Sequence, residues 1–110
     1  MNKKIAVVGS SHLATVITGC LIRKKYEVAV VDNNSYNINK LQNGELPIFE
    51  PDLQDLIRDG INQNRLTFST DFENIFKDLD VIYFAKDAIK TDDGVDLDDI
   101  IKSINLVSDI

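Results

Sequence analysis

The 110-residue sequence predicts an α/β fold, a doubly wound parallel sheet of about four strands, and three observations predict it. Short apolar or alternating runs at residues 5–8, 28–31, 65–69 and 81–85 have strand character and are separated by stretches with helical periodicity. The first run stops at Gly9 and the second at Asp32, so a tight turn and a carboxylate fall at the ends of consecutive strands. Strands alternating with helices require right-handed crossovers, and those make the sheet parallel. The expected strand order is 3-2-1-4, half of a doubly wound sheet plus the first strand across its switch point. A nucleotide would lie at the C-terminal ends of strands one and four.

Each element has a local reason. A first helix starts near Ser10 or Ser11, because either hydroxyl can cap orphan N–H groups. Its apolar residues Leu13, Val16, Ile17, Cys20 and Leu21 share one stripe, which predicts that this face meets the sheet and that Cys20 is an inert core thiol. Arg23, Lys24 and Lys25 occupy the last turn, where cations suit the helix dipole. After the polar stretch 33–37, a short helix turns Ile38 and Leu41 inward and ends at Gly44. The segment 45–51, ELPIFEP, holds both prolines and predicts an extended connection. Pro51 opens another helix, carrying Leu53, Leu56 and Ile57 and closing at Gly60. Thr70 and Glu73 form a capping box for a brief helix with Phe72, Ile75 and Phe76. Residues 81–85 read as a buried parallel strand. A polar stretch follows, with Gly94 as its turn, and a last helix begins near Leu97.

The bulk numbers narrow the function. The length suits one domain, and 44% apolar residues suffice for one core. No apolar run approaches the roughly 18 residues that a membrane helix needs, so no membrane partner is expected. A net charge of −6 argues against nucleic acid. Residues 1–40 nevertheless carry six Lys/Arg against Glu27 and Asp32, and the basic segment therefore coincides with the Gly9 turn. A single cysteine excludes an internal disulfide and fits a cytoplasmic location. The acidic run Asp92, Asp93, Asp96, Asp98 and Asp99 lacks the ligand order of an EF-hand, so no metal site is predicted.

The Gly9 turn, Asp32, GELPIFEPDL at 44–53, RLTFSTD at 65–71 and DVIYFAKDAIKTDDG at 80–94 together resemble the N-terminal domain of the UDP-glucose/GDP-mannose dehydrogenases. The resemblance covers essentially all 110 residues. It implies a Rossmann-like NAD-binding domain of an enzyme that oxidises a sugar C6 alcohol to a carboxylate with two NAD⁺. It also implies that substrate and catalytic domains, with the nucleophilic cysteine and its partner lysine, are absent here, so no catalytic residue is assigned.

The resemblance implies a cofactor-binding set of Gly9, Ser11, His12, Leu13, Asp32, Ala85 and Lys86. The family turn reads Gly-x-Gly-Tyr-Val-Gly, and here it is Gly9-Ser10-Ser11-His12-Leu13-Ala14. Ala14 is an accepted replacement, whereas Ser11 stands where a bare backbone lets the pyrophosphate approach. If that position needs positive φ, serine costs on the order of 1 kcal/mol. Asp32 lies at the spacing that takes ribose hydroxyls and repels a 2′-phosphate, favouring NAD⁺ over NADP⁺; its alternative role is to cap the following turn. Asn37 stands at the family's lysine near the adenosine ribose, and residues 86–89 lack the family's Val-x-Thr-Pro. The alternative is a degenerate domain that no longer binds dinucleotide and serves as an interaction module. A chain that stops at Ile110 leaves a sheet edge open, which predicts self-association.

Overall fold

The computed structural model describes residues 3–72, 79–85, 89–91 and 94–96. Its strands and helices follow the order β1 (Lys4–Val8), α1 (His12–Arg23), β2 (Glu27–Val31), α2 (Ser35–Gln42), α3 (Pro51–Asn62), β3 (Leu66–Ser69), β4 (Val81–Phe84), β5 (Ile89–Thr91) and β6 (Gly94–Asp96). The first four strands form one sheet in the order β3-β2-β1-β4, as expected, and every pairing in it is parallel. The chain leaves β1 toward β2 and β3 on one side and returns to β4 on the other, which makes the β1/β4 boundary the switch point.

Both central strands are covered on both faces: Ile5–Val8 and Val28–Val31 are all at most 4% exposed. Side chains alternate across the sheet. Val7, Val28, Val30, Leu66 and Phe68 join Ile22, Ile38, Leu41, Leu53 and Ile57 in the main core, while Val8 and Val31 meet Phe72 in a second cluster. Burial of the Ile57 side chain alone removes apolar area worth roughly 2 kcal/mol from water.

Three helix ends share one solution. After α1, α2 and α3 the positions Lys25, Gly44 and Asn64 take φ of 71°, 81° and 58°, and the next residue's N–H returns to a carbonyl in the last turn. Tyr26 N donates to Leu21 O, Glu45 N to Lys40 O and Arg65 N to Gly60 O. These are Schellman ends, which favour glycine at the left-handed position. Only Gly44 meets that preference.

Several expectations need correction. The buried residues of α1 are Ala14, Thr15, Thr18, Gly19 and Ile22, whereas Cys20 is exposed and Leu13 is 53% exposed. Val16, Ile17 and Leu21 only flank the core. The reason is distance: a Cβ on Gly19 would run into Leu53 Cδ1 of α3, so the face in contact must be small. The hydroxyls of Thr15 and Thr18 donate to Ser11 O and Ala14 O, so they enter that face without orphan polar atoms. Cys20, placed on the stripe by hydropathy, is therefore not a core thiol. The second helix begins at Ser35, earlier than expected, because Asn34 accepts from Asn37 N and caps it. The third helix runs through Gly60 to Asn62, since Gly60 packs against Ile22 and Leu66 and does not end the helix.

β4 is not buried. Val81, Ile82, Tyr83 and Phe84 are 38–45% exposed because, among the described residues, the strand pairs only with β1. Gly94 starts β6, antiparallel to β5, and is not the turn itself. The capping box and most of the brief helix after Thr70, the acidic run apart from Asp96, and the last helix lie outside the described residues.

Candidate functional site

The turn between β1 and α1 is built from Gly9, Ser10 and Ser11. Gly9 has φ of 134°, a conformation that a side chain would strain, and its N–H donates to Val31 O at 2.9 Å. That bond ties the turn to the end of β2. Ser11 has φ of −74° and extended ψ, so serine fits the backbone without strain. The strain considered for Ser11 is therefore absent. Its hydroxyl accepts from Ala14 N at 3.3 Å, capping α1. Helix N–H groups of this kind are the natural ligands of a phosphate. Ser11 Oγ thus occupies a donor that a pyrophosphate would use.

Asp32 follows β2 directly and is 4% exposed. Its backbone N–H donates to Ser69 O, which extends the β2–β3 pairing by one bond. Ser10 Oγ donates to Asp32 Oδ2 at 2.5 Å, and Asn37 Nδ2 donates to Ser10 Oγ at 3.1 Å. The start of α2 is capped by Asn34, whose Oδ1 accepts from Asn37 N.

His12, the first residue of α1, reaches a second element. Its Nε2 lies 3.4 Å from Glu50 Oε1, and the side chains are 33% and 52% exposed. Glu50 precedes Pro51, so this contact ties the irregular 45–50 segment to the start of α1. Partly exposed pairs of this type contribute at most about 1 kcal/mol. His12 Nδ1 is buried and has no hydrogen-bond partner among the described residues. Leu13, the second residue of α1, is 53% exposed. Ala85 is buried immediately after β4, and its N–H donates to Val8 O at 2.8 Å, which seats it beside the Gly9 turn. Lys86 lies outside the described residues.

A cavity of about 290 Å³ opens beside Asn37, bordered by Tyr36, Lys40 and residues 45–47. Lys40 Nζ lies 4.8 Å from the centre of the Tyr36 ring. Its pKa is raised above the usual lysine value, first by a hydrogen bond to Tyr36, then by charge interaction with Tyr36 and with Glu45. A permanent cation therefore borders this cavity, one helical turn from Asn37.

Gly9, Ser11, His12, Leu13, Asp32 and Ala85 gather at the C-terminal side of the sheet around the switch point. Ser10, Asn37 and Glu50 belong to the same constellation and were not assigned binding roles from the sequence. Asn37 was visible as the place of a family lysine, and Glu50 as part of the proline-bracketed segment; nothing local marked Ser10 as a partner of Asp32. Among the described residues there is no group of His, Cys, Asp or Glu that could hold a metal, and no helix long and apolar enough to cross a membrane.

Comparison with known proteins agrees with this geometry. Residues 3–110 match the model of the UDP-glucose/GDP-mannose dehydrogenase family, NAD binding domain. The chain is 36% identical over 83 residues to the UDP-glucose 6-dehydrogenase TuaD of Bacillus subtilis, covering 76% of this chain and 18% of that protein. It is 35% identical over 78 residues to a GDP-mannose 6-dehydrogenase of Pseudomonas syringae, covering 71% and 18%. The crystal structure of a GDP-mannose dehydrogenase ternary complex from Pseudomonas aeruginosa superimposes with a TM-score of 0.85 at 31% identity, over 94% of this chain and 24% of that one. The chain thus spans about a fifth of the length of these curated relatives. With its four-stranded Rossmann-like sheet, its Gly9 turn and its match to the family model, the chain belongs to the UDP-glucose/GDP-mannose dehydrogenase family, in the part that forms the NAD-binding domain.

Proposed function

We propose that this chain binds NAD⁺ and serves as the cofactor-binding domain of a nucleotide-sugar 6-dehydrogenase, of UDP-glucose type, acting on a CH–OH group. The observation that carries this reading is the juxtaposition of the positive-φ Gly9 turn with the Asp32 carboxylate at the end of β2. The residues present fit the cofactor. Gly9 gives the turn its shape, Asp32 suits the ribose hydroxyls, and the N-terminus of α1 faces the pyrophosphate's place. Bound NAD⁺ supplies a hydride acceptor. The described residues bind and orient it; placing a sugar carbon against the nicotinamide falls to parts of the family enzyme other than this domain.

The alternative, a degenerate domain without dinucleotide, draws on Ser11 Oγ at the Ala14 N–H and on Asn37 in place of a lysine. Ser11 weakens a phosphate contact and Asn37 removes a charge near the adenosine ribose, yet neither removes the turn or the carboxylate. Calorimetric titration with NAD⁺ and NADP⁺ tests the reading. We expect saturable NAD⁺ binding that is preferred over NADP⁺ and is lost in Asp32→Ala. No heat at millimolar NAD⁺ refutes it in favour of the degenerate domain.

The same reading gives the protein a cytoplasmic setting, no nucleic-acid partner, and self-association along the exposed outer edge of β4. Sedimentation showing a strict monomer at high concentration would refute the last of these.

A further inference from the structure

Three segments distant in sequence meet at one buried hydroxyl. Ser10, in the turn after β1, is 2% exposed, Asp32 is 4% exposed, and Asn37 sits in the first turn of α2. The separations are 22 residues from Ser10 to Asp32 and 27 from Ser10 to Asn37.

We propose that Ser10 and Asn37 are positioning residues that hold the Asp32 carboxylate in place for the adenosine ribose of the dinucleotide. The proposal rests on the reading that the chain binds NAD⁺. The hydrogen-bond inventory fixes the direction of the relay. An ionised carboxylate only accepts, so the single hydroxyl proton of Ser10 goes to Asp32 Oδ2. Ser10 Oγ then has only lone pairs to offer Asn37, which must present its NH₂ and not its carbonyl. Asn37 is itself fixed, because its backbone N–H donates to Asn34 Oδ1 at 3.0 Å. Each donor polarises the next, so the charge-assisted bond to Asp32 gains from the amide behind it.

The arrangement also bears on cofactor choice. A lysine at the Asn37 position would offer a charge to a 2′-phosphate. The amide offers none and instead commits a proton to the hydroxyl that restrains Asp32. The anionic carboxylate is thereby kept where a 2′-phosphate would meet it, supported by neutral groups alone in this relay.

The test is a ligand-and-mutant cycle by calorimetry, using NAD⁺, NADP⁺ and 2′-deoxyadenosine NAD⁺ against the full chain and Ser10→Ala, Ser10→Thr and Asn37→Ala. Ser10→Ala should weaken NAD⁺ about tenfold and 2′-deoxy-NAD⁺ markedly less, because the lost contact acts through the ribose hydroxyl. Ser10→Thr, which keeps the donor, should restore most of the affinity. Asn37→Ala, at a partly exposed site, should show the same selective pattern at about threefold and serves if Ser10→Ala fails to fold. Equal losses for NAD⁺ and 2′-deoxy-NAD⁺, or no loss in either alanine variant, would overturn the proposal. If the unaltered chain binds none of the three ligands, the NAD⁺ reading fails and this inference falls with it. Binding by the unaltered chain with insensitive variants refutes the positioning role alone.

Discussion

Replacing Ser11 by glycine separates two effects that the sequence merges. Because Ser11 already has φ of −74°, glycine brings no relief of backbone strain. What it removes is a Cβ and a hydroxyl, and that hydroxyl holds the Ala14 N–H at 3.3 Å. A bond at that length is weak for N–H···O, and exchange of a serine cap for glycine costs only a few tenths of a kcal/mol in stability. The released N–H can then meet a pyrophosphate oxygen, a charge-assisted contact worth about 1.5–3 kcal/mol before losses. Glycine's added backbone freedom offsets about 0.5–1 kcal/mol of this. The net gain of roughly 0.5–2.5 kcal/mol corresponds to NAD⁺ binding about two to seventy times tighter. Calorimetric Kd values for the unaltered chain, Ser11→Gly and Ser11→Ala measure it. Tightening in both variants assigns the obstruction to the hydroxyl, and tightening in glycine alone assigns it to the Cβ. Unchanged or weaker NAD⁺ binding by Ser11→Gly would refute the argument that Ser11 stands in the phosphate's place.

Two further predictions concern stability. Lys25 holds φ of 71° at a Schellman end, where a side chain costs roughly 1–2 kcal/mol and glycine's unfolded-state entropy offsets about half. Lys25→Gly should therefore raise Tm by about 4 °C in a calorimetric melt, with a smaller gain for Asn64→Gly because asparagine tolerates this region. Gly19→Val should lower stability by about 1–3 kcal/mol in urea unfolding, because its side chain collides with Leu53 of α3.

The sheet was legible in the sequence wherever an apolar run ended on a residue with its own structural meaning. Gly9, Asp32, Gly44 and Pro51 set the turn, the carboxylate, a helix end and a helix start, and all four stand where their chemistry puts them. The face of α1 was misread for a physical reason. Summed hydropathy favours Leu13 and Cys20, but the buried face holds the small residues Ala14, Thr18 and Gly19, and at Gly19 it is α3 that leaves no room for a side chain. The exposure of β4 was also hidden, since an apolar run reports a strand's composition and not what lies beyond its edge. At the site, Asp32 could be found by spacing and Ser11 by substitution against the family turn. The Ser10–Asp32 and His12–Glu50 contacts could not, because each depends on side-chain directions set by the fold and not by neighbours in the chain.

The threonines on the inner face of α1 carry one more consequence, for how this helix can vary. Because Thr15 and Thr18 return their hydroxyls to carbonyls of their own helix or its cap, both are buried without asking a polar partner of any neighbouring element. The filter on these positions is one of volume: valine has the shape of threonine, alanine leaves a void and leucine overfills the site. A pattern search tuned to hydrophobicity will therefore score this helix poorly across divergent sequences. A search tuned to side-chain size will find it.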